Sequence, residues 1–160
     1  MFELNKPDQE QPRLFKVEET IRDITAILEP SRRERGINFI YDFINKPLAV
    51  TMPEGLLRQV LFNVLQNALE ASPASGSITI SAALQDRELH LAVHDEGHGI
   101  PEALRDRIFE PLFTTKTGLL NSGMGLGLSV CKNIVDALKG DITFESELGK
   151  GSTFHIRLPV

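Results

Sequence analysis

The 160-residue chain is 41% hydrophobic and 24% charged. This ordinary globular composition excludes a disordered chain and supports one core without disulfides or structural metals. Net charge is −5, from 17 basic and 22 acidic residues, which gives no field for a polyanion, so nucleic acid is not an expected partner. Cys131 is the only cysteine and no apolar run reaches membrane-spanning length. An internal disulfide and a thiol zinc cluster are therefore excluded, and this part of the protein is expected in the cytoplasm without membrane contact of its own, even if a parent protein is anchored.

In chain order, Met1 to Pro12 is a polar leader. Leu14 to Val17 is extended in character, and Ile21, Ile24, Ile27 and Leu28 recur at helical spacing, predicting one helix from about Val17 to Arg35 before Gly36. Ile37 to Ile44 reads as a strand, with Leu48 to Met52 as its candidate partner. From Pro53, an apolar stripe of Leu57, Val60, Leu61, Val64, Leu65, Ala68 and Leu69 marks an amphipathic helix ending near Ser72. Ile78, Ile80, Ala82 and Leu84 alternate as a strand, Gln85 to Arg87 turn the chain, and Leu89, Leu91 and Val93 alternate again. Between Glu96 and Met124 the period is lost except for a short helix over Glu102 to Arg107, and an irregular stretch of that length in a compact domain is usually functional. Leu126 to Leu138 is helical, and Asp141 to Phe144 with Ser152 to Leu158 forms a closing hairpin. This order predicts an α+β fold, a two-layer α/β sandwich with helices on one face of a mixed, mostly antiparallel sheet.

Eight of the 12 glycines fall in three short clusters, where backbone is free to approach a ligand or adopt positive φ. The first is Asp95-Glu96-Gly97-His98-Gly99. Asp95 continues the two-residue steps of Leu89, Leu91 and Val93, so its carboxylate is expected on the buried side, where it needs a donor. Adenine's exocyclic amine is such a donor and guanine's oxygen is not; a strand-ending turn uses the same glycines. Gly123-Met124-Gly125-Leu126-Gly127-Leu128 opens a helix, where free N–H groups and the helix dipole suit phosphate, although a glycine-rich helix start is not by itself a phosphate site. Its spacing matches neither the dinucleotide fingerprint nor the P-loop. Asn63 and Asn67, four residues apart, share one helix face at the edge of the apolar stripe. By themselves they read as hydrogen-bonding boundary residues; beside the glycine clusters they also read as amide ligands for Mg²⁺ next to phosphates.

Taken together, five ordered segments resemble the histidine-kinase branch of the superfamily that also holds gyrase, the large heat-shock chaperone and the mismatch-repair ATPases. Asn63 to Ala68 is similar to its N box, Asp95 to Gly99 to the first glycine box, and Phe109-Glu110-Pro111-Leu112-Phe113-Thr114-Thr115-Lys116 to the F box. Gly123 to Leu128 is similar to the second glycine box and Gly149 to Phe154 to the closing one. The resemblance covers roughly Leu14 to Pro159 and implies the Bergerat ATP-binding fold. It implies that Asp95 reads adenine, that Asn67 and Asn63 hold Mg²⁺, that Lys116 offers charge to the phosphates, and that Thr117 to Ser122 form a lid that orders on nucleotide binding. By the same resemblance Gly97, Gly99, Ile100, Phe109, Thr114, Thr115, Gly123, Met124, Gly125, Leu126, Gly127, Leu128 and Thr153 line the nucleotide, with Asn63 and Lys116 as the catalytic pair.

Hydrolysing members of the superfamily place a glutamate where this chain has Asn63. An amide cannot activate water as a base, so weak hydrolysis and transfer of the γ-phosphoryl group to a protein side chain are expected, through positioning and charge neutralisation. The F box favours sensor kinases over the serine kinases that regulate sigma factors. The family's acceptor histidine precedes an acidic residue on a helix; His90, His98 and His155 do not, and His94 precedes Asp95 only on a predicted strand. The acceptor helix is thus expected to be absent, residues 1–12 being its trailing end or a linker and 13–160 the ATP-binding domain. The implied partners are the missing dimerisation and phosphoacceptor helices and a response-regulator receiver domain, with this piece a monomer. Asn67-Ala68-Leu69-Glu70-Ala71 and the Phe-Thr-Thr-Lys ending of the F box look more like the nitrogen-regulatory than the osmosensing type. A nucleotide-dependent interaction module without chemistry is the competing expectation.

Overall fold

The computed structural model describes residues 11–44, 46–111 and 124–160, with 124–126 described by backbone alone. The elements in chain order are β1 (Pro12–Lys16), α1 (Val17–Ile27), α2 (Glu29–Arg35), β2 (Asn38–Phe43), β3 (Ala49–Pro53), α3 (Glu54–Ala71), β4 (Ser77–Gln85), β5 (Glu88–Asp95), a 3-10 helix (Glu102–Arg107), α4 (Met124–Ala137), β6 (Asp141–Glu147) and β7 (Gly151–Pro159). A five-stranded sheet runs β2-β4-β5-β7-β6, with β1 and β3 as a separate two-stranded ribbon. Only β2 and β4 pair in parallel; the other neighbours are antiparallel. The α+β class and the mixed, mostly antiparallel sheet are those read from the sequence.

The core lies between the helices and one sheet face. The stripe predicted for α3, Leu57 to Leu69, is the set of residues that the helix buries. It meets Ile78, Ile80 and Ala82 of β4, Leu89, Leu91 and Val93 of β5, and Phe154, Ile156 and Leu158 of β7, all nearly inaccessible. The alternate residues of β5 face outward, so His90 and His94 stand on the solvent side as expected. Asp86 and Arg87, both with left-handed φ, make the tight turn between β4 and β5.

Three expectations are corrected. The single helix over Val17–Arg35 is two helices that meet at Leu28, because Pro30 lacks an N–H and its ring would collide with the carbonyl of Ala26, one turn earlier. The segment after the Pro47 turn pairs with β1 rather than with β2. Leu48 is fixed instead to the start of α1: its carbonyl accepts from Val17 N–H at 2.9 Å and its N–H donates to Glu18 Oε1 at 2.9 Å. From there Val50 and Met52 turn inward and bury beside Phe15. The last hairpin is also longer than expected, since β6 continues past Phe144 to Glu147.

Candidate functional site

The alternation of β5 carries Asp95 to the end of its buried face, where it is 1% exposed. Its Oδ1 accepts from Gly97 N–H at 2.8 Å, and Ser152 N–H of the adjacent β7 also donates to the carboxylate. Burial pushes the Asp95 carboxyl above its ordinary range; the two backbone donors and the charges of His94 and His98 oppose this without cancelling it. A buried carboxylate held in this way keeps acceptor capacity for a further donor.

The glycines around Asp95 reflect close backbone approach. A Cβ on Gly97 would lie 2.2 Å from the Ala71 carbonyl oxygen at the end of α3. One on Gly99, at φ +80°, would lie 2.4 Å from the Glu147 oxygen, and one on Gly151, at φ +116°, 2.1 Å from the Asp95 oxygen. Hence the first and closing glycine boxes are pressed into one unit against the end of α3.

At the middle of α3, Asn63 and Asn67 are half-buried on the same face. Asn63 Nδ2 donates to Gly127 O in the first turns of α4 at 3.4 Å, and the same side chain bonds to the Cys131 thiol, which burial raises to about 12. The backbone of Met124, Gly125 and Leu126 forms the start of α4, and half-buried Leu128 packs on the core. Phe109 joins Phe144 and Phe154 in an aromatic cluster, its ring centroid 6.0 and 6.4 Å from theirs. Thr114, Thr115, Lys116 and Gly123, with the expected lid at 117–122, lie outside the described residues.

The structure thus brings together Asp95, Gly97, Gly99 and Ile100 at one end of α3, and Asn63, Asn67 and Gly127 along it. It does not bring Thr153 to this side. Thr153 points to the outer face of the sheet, its Oγ1 2.7 Å from Nδ1 of exposed His94. The residue that sequence reasoning passed over is Ser152, 6% exposed and bonded to Asp95. The signal was available: stepping back by twos along Leu158, Ile156 and Phe154 lands on Ser152.

The family model described as histidine kinase-, DNA gyrase B-, and HSP90-like ATPase matches residues 53–160. The adaptive-response sensory kinase SasA of Synechocystis sp. is 32% identical over 98% of this chain and 41% of its own length. A solved catalytic domain of the histidine kinase ThkA superposes with a TM-score of 0.83 at 35% identity, over 93% of this chain and 95% of that one. ThkA has also been solved in complex with the response regulator protein TrrA, and that structure matches with a TM-score of 0.78 at 32% identity, over 92% of this chain and 41% of that one. The chain spans less than half the length of the curated relatives it matches. No helix among the described residues is long and apolar enough to cross a membrane. By fold, by family model and by alignment over 98% of its own length, this chain belongs to the histidine kinase-, DNA gyrase B- and HSP90-like ATPases, among the ATP-binding catalytic domains of histidine kinases.

Proposed function

We propose that the protein binds Mg·ATP along α3 and transfers the γ-phosphoryl group to a histidine on a dimerisation helix outside residues 13–160, for relay to a response-regulator aspartate. The observation that carries this reading is the buried Asp95 carboxylate, held by Gly97 and Ser152 N–H groups at one end of the helix that presents Asn63 and Asn67. Asn63 and Ala71, which mark the two ends of the site, are separated by about 12 Å along the helix axis, a span on the scale of a nucleoside triphosphate. Asp95 accepts from the adenine amine and excludes guanine. The backbone of Gly125 and Gly127 at the start of α4 receives the phosphates, with Gly123 and Lys116, which lie outside the described residues, as the further phosphate contacts.

The donor set fits Mg²⁺. Asn63 donates through Nδ2 to Gly127 O, so its Oδ1 is the atom that would serve as a hard neutral ligand, and Asn67 stands one turn on along the same helix. Among the described residues no cluster of three His, Cys, Asp or Glu side chains could hold a metal, so the ion would rest on amide and phosphate oxygens. Bound there, it neutralises phosphate charge. Asn63 cannot deprotonate water, which favours transfer over hydrolysis.

Calorimetric titration with ATP and GTP, with and without Mg²⁺, tests the site. Saturable ATP binding that GTP does not match, and that Asp95→Asn abolishes, is expected. Mixing the domain with an acceptor-helix fragment and labelled ATP then tests the chemistry, with label expected on histidine. Steady phosphate release without acceptor would make this a hydrolase, and binding without either reaction a nucleotide-dependent interaction module.

A further inference from the structure

The loop from Asp95 to Pro101 carries most of the base end of the site, and its far side is held by side chains that no box contains. Ile100 N–H donates to Ser146 Oγ at 2.7 Å, and Ile100 O accepts from Arg105 Nε at 3.3 Å. The same guanidinium donates through Nη2 to Ser146 O at 2.6 Å. Both backbone groups of Ile100 are therefore closed into a ring with β6 by Arg105, which reaches over from the 3-10 helix, an element with no buried residue of its own. Ser146 Oγ also lies 2.9 Å from Ser152 Oγ and 3.3 Å from Gly151 O. One hydroxyl supplies one donor and two acceptor sites. Accepting from Ile100 N–H and from Ser152 O–H while donating to Gly151 O uses all three.

Resting on the ATP reading of the Asp95 site, we propose that Arg105 and Ser146 are positioning residues for base recognition: they tie Ile100 and Ser152, and through Ser152 the Asp95 carboxylate, into one geometry that selects adenine. Neither touches the nucleotide. Ser146→Ala leaves Ile100 N–H without its acceptor and releases Ser152 Oγ, and Arg105→Gln opens the ring from the surface. A purely structural role lowers stability but leaves the preference between bases unchanged. A positioning role reduces that preference.

The experiment measures dissociation constants for ATP and for inosine triphosphate, which carries an oxygen in place of the adenine amine, by calorimetry on wild type, Ser146→Ala, Ser146→Thr and Arg105→Gln, with a thermal melt of each. Ser146→Ala is expected to weaken ATP binding about tenfold and to shrink the ATP preference. Arg105→Gln should do the same to a smaller degree, and Ser146→Thr, which keeps the hydroxyl, should restore both. Should Ser146→Ala fail to fold, Arg105→Gln at its exposed helix decides alone. An unchanged preference in Arg105→Gln, with wild type selecting ATP, overturns this inference and leaves the ATP site standing. Wild type that binds neither nucleotide overturns the ATP reading and this inference with it.

Discussion

The two ends of the site are built differently. At the Asp95 end, three glycines have no room for a Cβ, Asp95 is 1% exposed, and two backbone N–H groups hold its carboxylate, one from the loop after β5 and one from β7. At the Asn63 end, long side-chain bonds link α3 to α4, Asn63 Nδ2 to Gly127 O at 3.4 Å and Cys131 Sγ to Val60 O at 3.7 Å, and a Cβ on Gly127 would meet nothing closer than 3.9 Å, the Cβ of Asn63. The proposed base end is therefore a preformed socket with its cost met by the fold, whereas the proposed phosphate end keeps space at Gly127. That division suits the proposed function: selectivity needs fixed geometry, and a phosphate end that would admit Mg·ATP and then meet an acceptor helix needs freedom to adjust.

Substitutions at each end put this contrast to the test. Gly151→Ala should have the largest effect, a loss of about 3 kcal/mol in urea unfolding, because the methyl group must displace the Asp95 carbonyl from a backbone at φ +116°. A loss well under 1 kcal/mol would mean that the base end also yields.

The second effect depends on pH. Burial raises the Asp95 carboxyl above its ordinary 3.8, so the folded protein holds that proton more tightly than the unfolded chain. Its contribution to stability is present below the ordinary value and is lost as pH rises through the raised one. Asp95→Asn has no proton to lose, and its stability relative to wild type should improve as pH is raised across that window, even while ATP binding disappears. Unfolding curves at a series of pH values that keep a constant difference would show that the carboxylate is not desolvated.

The smallest effect belongs to Gly127→Ala, at the loose end. Removing a glycine from a helix with space for the methyl should stabilise by about 0.5–1 kcal/mol. If it also leaves ATP affinity unchanged, the phosphate end tolerates a side chain against the nucleotide. A clear destabilisation would show that α3 and α4 pack more tightly than the 3.9 Å separation indicates.

Much of the fold was legible because local period and long-range burial agree. The α3 stripe, the alternations of β4 and β5, and the inward Asp95 all follow from residue spacing, since a side chain's face on a helix or strand depends only on its offset from its neighbours. Proline at position 30 also carried a local signal, a helix break that the apolar recurrence of Ile24, Ile27 and Leu28 masked. Thr153 was misplaced for the opposite reason: it was carried over with its box, although the β7 alternation assigns the inner face to Ser152.

The amino-acid order by itself determined most element types and the buried faces of α3, β4 and β5, because these depend on spacing along one segment, and the family through five short motifs in order. Only the tertiary structure decided that β3 joins β1 and that Arg105 and Ser146 clasp Ile100. Each of those is a contact between segments far apart in sequence, chosen by which donors and acceptors remain unpaired once the core has closed, and no local pattern encodes that choice.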